Sequence, residues 1–486
     1  MMFGNDQHAY NDGHDDSQHH HAAVPLVVLR QVPPVLRYES GPIEATGLAV
    51  NAYARGTVLM SSLFLGPALL KLASEAADCH DGEDCSGVKI YGFRPSSILT
   101  NIAIASGLLG PILMPIFGAF VDHTRYRKEV GAYSAAGLTI VKGIEIFVGP
   151  KTWFYIALLQ VLSSVFYNIH VTATYAYTSE LTRNANQQAD YNAFYMTVVY
   201  VSTLLFMAEV ILVSRFLGTD DVGTARVSQT ITALTSAPIF YLAWSSLFRE
   251  KPALNEVPPG MNLLTCGIQK VCKTASQISS DFEDLKWLLL SIVFAESGMS
   301  ALITISTTYM TQVLNMSSSE IGVVFFTVII MGVPGSKFGA WIGRKFRSPL
   351  VSAKLGNLFF ILFTTAASIY LRSPNDKKTV AIFGALWGLG IGWLSPTHTT
   401  AFISIMPTGS EAELMGNYLV ACQILSWLPP LVFTLLNENG IPMAFGLASL
   451  DLYFLLGLIC LIPIRDYAMV EDMHDVSVPQ FENEVM

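Results

Sequence analysis

Arg55 and Glu296 each interrupt a long apolar run, in surroundings where water is scarce and a charge has consequences. Each lies ten residues past the start of its run, counted from Ala45 and Lys286. At ~1.5 Å per helical residue both sit ~15 Å deep, midway through a ~30 Å hydrocarbon core. A charge there costs roughly 2.5–3.5 kcal/mol on insertion scales, so each requires a partner or an aqueous cavity. A guanidinium holds a carboxylate through two parallel hydrogen bonds. A carboxylate in such a place accepts an ammonium group, or takes up a proton when its environment changes. In one reading the two residues frame the site of a small polar substrate; in the other they form a static interhelical ion pair. Asn51, Tyr53, Asn168, His170 and His398 are further polar groups inside apolar runs. Glu209 is a second candidate for proton uptake, and Asp451 reads as a helix-to-helix bonding residue. A lone histidine in such a run is more commonly a hydrogen-bonded packing group than a proton carrier, although its titration suits switching.

The elements that position these residues follow from composition. Of 486 residues, 52% are hydrophobic and only 13% charged, against about 25% charged in soluble domains. Twelve apolar stretches are expected as helices, near 45–70, 96–121, 130–149, 152–179, 190–217 and 225–247, then 286–312, 318–341, 350–371, 379–405, 413–436 and 441–464. Helix is the form that satisfies every backbone group within a single segment in lipid. The third and eighth are the weakest, because Lys142 and Glu145 end one and Lys337 lies in the other. The chain therefore divides into a polar tail (1–44), a six-helix bundle (45–248), a linker (249–285), a second six-helix bundle (286–464) and an acidic tail (465–486). The expected class is an all-α membrane protein of two pseudo-symmetric six-helix bundles.

Lys and Arg are more numerous in the segments on the side of the two tails, which places both tails in the cytosol by the positive-inside rule. The linker repeats Leu264, Ile268, Val271, Ala275 and Ile278 at helical spacing, with Lys270 and Lys273 on other faces. That pattern predicts an amphipathic helix at the cytosolic interface, as a passive strap or a regulatory element. Cys79 and Cys85 share one loop, either as a disulfide or as two thiols. His8, His14 and His19 to His21 mark the first tail, which reads as a tail without a specific ligand. Asn315-Met316-Ser317 falls on the non-cytosolic side as a glycan acceptor. No basic tract for nucleic acid, phosphate-cradling glycine loop, HExxH or paired CxxC is present in the sequence. Enzymatic chemistry, a bound cofactor and a metal centre are therefore not expected.

The two bundles echo each other. Gly118-Ala119-Phe120-Val121-Asp122 runs into a basic turn with Arg125 and Arg127, and Gly339-Ala340-Trp341-Ile342-Gly343 runs into Arg344 and Lys345 at the matching place. Repeated halves are a common way to build a binding site at their interface. On Gly118, Asp122, Arg125 and Arg127 the chain resembles the major facilitator superfamily, although His123 and Thr124 stand where that family has glycine. The resemblance implies that Asp122 and Arg125, with Arg127, bond across the halves and hold one state of an alternating-access cycle. It also implies that the first, fourth, seventh and tenth spans line a central cavity, which would place Arg55, Glu296, Asn51, Tyr53, Asn168, His170 and His398 around it.

Within that superfamily the chain is similar to the autophagy-related vacuole effluxer-like branch. The likeness rests on Glu296-Ser297-Gly298 in the seventh span, on Gly388, Gly390 and Gly392, and on Pro407, Glu411, Glu413, Gly416 and Tyr418. Residues 176–181 lack that branch's Asn and Pro, and Pro396-Thr397-His398 replaces its Ser-Arg. What the resemblance implies is export of amino acids from a vacuole or lysosome, with membrane lipid, a small-molecule substrate and protons as partners. An uptake carrier at the plasma membrane, or a transport-inactive receptor, are the alternatives. Tyr467-Ala468-Met469-Val470 has the form of an endolysosomal sorting signal, and chance accounts for so short a pattern at least as well.

Overall fold

A computed structural model describes residues 32–38, 41–79, 88–178, 180–182, 185–253, 257, 262–406 and 411–465. The histidine tract, Cys85 and the Tyr467 motif lie outside them.

Six helices form the first bundle: α1 (Ile43–Ala76), α2 (Ile98–His123), α3 (Arg127–Glu145), α4 (Trp153–Thr178), α5 (Ala185–Leu217) and α6 (Asp221–Leu242). After the linker helix α7 (Leu263–Asp281) come α8 (Glu283–Gln312), α9 (Ser318–Lys345), α10 (Pro349–Tyr370) and α11 (Lys377–Ile405). The last two spans are each broken, into α12 (Glu411–Gln423) and α13 (Leu428–Glu438), then α14 (Met443–Ala448) and α15 (Leu450–Cys460). The eleventh span was expected to be continuous. Pro429 and Pro430 explain its break, since neither has an N–H to extend the helix that precedes them.

Among the described residues, ten helices are long and apolar enough to cross a membrane. With α3 and α6 they make twelve, the all-α architecture expected. The two weaker spans owe their polarity to what they bury. Lys142 Nζ of α3 lies 2.9 Å from Glu145 Oε2, both side chains almost fully enclosed. In α6, Ser228 and Gln229 donate to the Ser61 carbonyl of α1, and Thr232 and Ser236 share that buried side. The Lys142–Glu145 pair and the two bonds to Ser61 offset part of the cost of hiding these groups. The eighth span, α9, needs no such help; Lys337 is exposed on it.

The two halves meet along α2 with α12 and α13, and along α5 with α9. At the end away from the linker, called here the far end, Glu438 Oε1 accepts from Arg94 N at 2.6 Å and Ser97 Oγ at 2.8 Å, and Lys89 pairs with its other oxygen at 3.2 Å. Asn437 donates to Ser96 and Ser97, and Thr100 and Thr434 share a hydrogen bond of 2.6 Å. Asp221 accepts from Ser318 N at the start of α9. Cys79, on the far-end loop after α1, is disulfide-bonded, while Cys266, Cys272, Cys422 and Cys460 are free.

Inside the second half, α9 and α11 cross without side chains between them. A Cβ at Gly388 would fall 2.2 Å from the Val328 carbonyl oxygen, and one at Gly392 2.0 Å from that of Gly332. The glycines singled out in the sequence thus permit a backbone-to-backbone approach.

Candidate functional site

In the second half, α8 and α11 bring together an acid and a base. Glu296 Oε1 lies 3.1 Å from Nδ1 of His398; the histidine is fully buried and the glutamate 16% exposed. Gly298, two residues on, lets Phe454 of α15 close over the helix, where a Cβ would sit 3.1 Å from the ring. The other histidine nitrogen, Nε2, is buried and finds no hydrogen-bond partner among the described residues. An interior polar atom without a partner costs about 1–3 kcal/mol. Tyr418 of α12 bonds to Thr399 of α11 at 3.0 Å, and Tyr418 and Cys422 are both close enough to feel the charge of Glu296.

In the first half, a group of buried polar residues is closed on itself. Asn51 Oδ1 receives Nε2 of His170 at 2.9 Å and Nε1 of Trp244 at 3.1 Å, while its amide donates to Thr174 at 3.3 Å. The second nitrogen of His170 lies 3.3 Å from the Gly131 carbonyl and 3.4 Å from Ser134. Helices α1, α3 and α4 and the turn after α6 are joined by this network, and Asn51 and His170 are fully buried in it. Asn51, expected among substrate-binding groups, is engaged in holding helices together, and His170 is the packing residue that a lone histidine suggests.

Arg55 lies just beyond this network, 7% exposed, in a cleft of about 20 Å³ lined by Thr174, Tyr175 and Thr178 of α4 and Asn192, Tyr195 and Met196 of α5. That is room for about one water molecule. No carboxylate among the described residues pairs with it. The expectation that Arg55 and Glu296 meet is therefore corrected: the arginine's cleft is lined by first-half residues, and the glutamate's partner is His398. Position along a helix does not fix which way round it a side chain points.

Asn168 of α4 faces the seam, its amide 3.1 Å from where a Cβ of Gly110 would stand, with Gln423 Oε1 on the same spot at 3.8 Å. Tyr53 is half-buried against the first-half core. Glu209 does not suit proton uptake from a cavity, for it is exposed on the face of α5 that carries Leu205 and Leu212. Asp451 accepts from Thr365 of α10 at 2.6 Å, the helix-to-helix bond expected of it.

The basic turn also differs from expectation. Arg125 is exposed and lies over the ring of Tyr126, 5.3 Å from its centroid, so it makes no bond across the halves. Arg127 is the buried one, bonded to Glu180 at 2.6 Å, with Lys251 on the other carboxylate oxygen at 2.8 Å. Partial burial works against the charge of Glu180, but Lys251 and Arg127 outweigh it and hold that carboxyl below its ordinary value. Around Asp122 the cations are Lys270 of the linker helix and Arg127, with His123 adjacent.

The sequence profile of the Major Facilitator Superfamily matches residues 49–430. The chain belongs to that superfamily. This major facilitator is a multi-pass membrane transporter, not an enzyme. It is 20% identical over 396 residues to an uncharacterized MFS-type transporter, YxiO, of Bacillus subtilis (strain 168), covering 79% of this chain and 87% of that one. It is 23% identical over 219 residues to autophagy-related protein 22 of Yarrowia lipolytica, spanning 44% of this chain and 36% of the relative's length. Solved structures share the fold. A single-residue mutant of the nucleoside transporter NupG has a TM-score of 0.61 at 11% identity, over 87% of this chain and 99% of that one. The peptide transporter POT in complex with sulfate has 0.59 at 14%, over 90% and 97%. The inward open xylose transporter XylE from E. coli has 0.54 at 13%, over 85% and 93%.

Several functional candidates escaped the sequence reading. Thr399 and Tyr418 came into view as site neighbours once α11 and α12 were seen to pack. Lys142 and Glu145 are spaced three apart, which on a helix puts them on one face, and that signal was available. Glu438 closes an apolar span and reads there as an ordinary terminal charge.

Proposed function

We propose that this major facilitator exports amino acids from a vacuole or lysosome by alternating access, with Glu296 and His398 as the coupling site and both tails cytosolic. The observation that carries this reading is the Glu296–His398 pair with its unbonded Nε2. An acid and a base that share one hydrogen bond and leave one nitrogen open are suited to exchange a proton or a substrate ammonium group. Arg55, with no carboxylate partner among the described residues, is the first-half group suited to a substrate carboxylate. Tyr53 and Asn168 complete the list of first-half groups retained as substrate contacts. The partial likeness to autophagy-related protein 22 supports the vacuolar address, and the family resemblance in the seventh and tenth spans supports amino acids.

The test is counterflow in liposomes containing the purified protein, with a panel of radiolabelled amino acids at two pH values. Accumulation of a labelled amino acid against its unlabelled form, altered by pH and lost in Glu296→Gln, is the expected result. A protein that inserts normally and shows no counterflow with any amino acid refutes the substrate. A Glu296→Gln protein transporting at the wild-type rate refutes the site.

A further inference from the structure

The linker helix fully buries only Ile278 of its apolar stripe. Leu264 is 58% and Ile268 39% exposed, whereas Cys266, Thr274 and Ile278 are buried. The contact is made by small residues. A Cβ at Gly267 would fall 1.9 Å from the Pro115 carbonyl oxygen and 3.1 Å from the Ala119 Cβ, so α7 lies directly on the backbone of α2. Beside it, Cys266 Sγ is 3.7 Å from Nε2 of His123, and Lys270 acts on Asp122. The other end of α7 belongs to the opposite half, with Ile278 in the same core as Leu285, Leu288 and Leu414. The helix also touches α8 and α12.

Along α2 three kinds of contact with the rest of the seam follow in order. Thr100, near the far end, is bonded to Thr434. Gly107 lies against the backbone of Trp427, where a Cβ would be 2.8 Å from the amide nitrogen. From Pro115 onward the neighbour is α7. At ~1.5 Å per residue the bonded pair and the start of the α7 contact lie ~10 Å and ~12 Å on either side of Gly107. The seam has the layout of a lever: latch at one end, close crossing in the middle, inserted helix at the other.

We propose that α7 is a wedge. It holds the linker-end segments of α2 and α12 apart while Glu438, Asn437 and Thr434 latch the far end, and it leaves its seat on α2 when the latch opens. No substrate need be known for this, because only the coupling between two ends of one seam is involved. Packed interfaces switch between discrete arrangements rather than deforming smoothly, so opening one end must change the other.

The experiment reads the thiol of Cys266 in the full-length protein, with the exposed Cys272, six residues along the same helix, as internal reference. The protein is treated with N-ethylmaleimide in liposomes and both cysteines are quantified by peptide mass spectrometry. In wild type, Cys266 is expected to react about tenfold more slowly than Cys272, as burial dictates. Glu438→Gln, at the opposite end of the bundle, is expected to raise the Cys266 rate several-fold and leave Cys272 unchanged. Gly267→Val, whose side chain cannot fit against Pro115, shows what an unseated wedge looks like. If Glu438→Gln leaves Cys266 as protected as wild type, α7 is a fixed strap and the proposal fails. Equal reactivity of Cys266 and Cys272 in wild type overturns it as well. Should Gly267→Val fail to fold, Glu438→Gln alone decides.

Discussion

The two halves treat their central polar residues in opposite ways. In the first, Asn51, His170, Trp244 and Thr174 satisfy one another within a closed network. In the second, Glu296 and His398 share one bond and leave a buried nitrogen without any among the described residues. A satisfied buried network rigidifies a core, whereas a partly satisfied one is poised to change partners. The contrast assigns the histidines different duties although both are fully enclosed. It teaches that burial alone does not separate a packing residue from a working one; the partners each one finds must be read as well.

The comparison is broken most directly at Glu296. Glu296→Gln should weaken substrate binding or coupling about tenfold to hundredfold, the worth of a lost charge-assisted hydrogen bond of ~1.5–3 kcal/mol. Its melting temperature should stay close to wild type; a large drop with transport intact would make the second half the structural one. Asn51→Ala is the mirror experiment. It strands Nε2 of His170 and Nε1 of Trp244, and should cost about 1–3 kcal/mol of stability. Transport per folded molecule should persist, as measured by counterflow normalised to monodisperse protein. His398→Gln sharpens the contrast further, by flattening the pH dependence of counterflow several-fold, while His170→Gln should lower thermal stability and leave the pH profile alone.

The smallest effect belongs to Glu180, in the first half. Its carboxyl is held below the ordinary value of 4.5, so its contribution is present at neutral pH and is lost as pH falls through the depressed value. Glu180→Gln should therefore cost up to about 1 kcal/mol at pH 7 and nothing once the wild-type carboxyl is protonated. Thermal melts at pH 7 and in strong acid would show the difference closing.

Apolar run length, the strongest signal available, made the twelve-span fold legible. It was weakest where α3 and α6 bury polar side chains against neighbours that a single sequence does not reveal. Glu296 and His398 were both singled out, yet their pairing was not, because numbering along a helix gives height and leaves azimuth open. Arg125 and Arg127 differ for a local reason, since Arg125 stands in the turn after α2 and is exposed whereas Arg127 opens α3 and is buried. The linker's helical periodicity was legible, but its seat was not: a glycine permits a closer approach than any leucine, and α7 rests on α2 through Gly267.

The glycine-lined crossing of α9 and α11 bears on how this chain tolerates change. His398 stands six residues beyond Gly392, on the stretch of α11 that this crossing anchors, so the height of the imidazole is set by two backbones in contact. In a saturation library, positions 335, 388 and 392 should accept almost nothing, while the neighbouring lipid-side Ile382 and Ile403 accept most apolar residues. The imidazole proposed to exchange protons would then be protected from drift by residues that carry no functional side chain of their own.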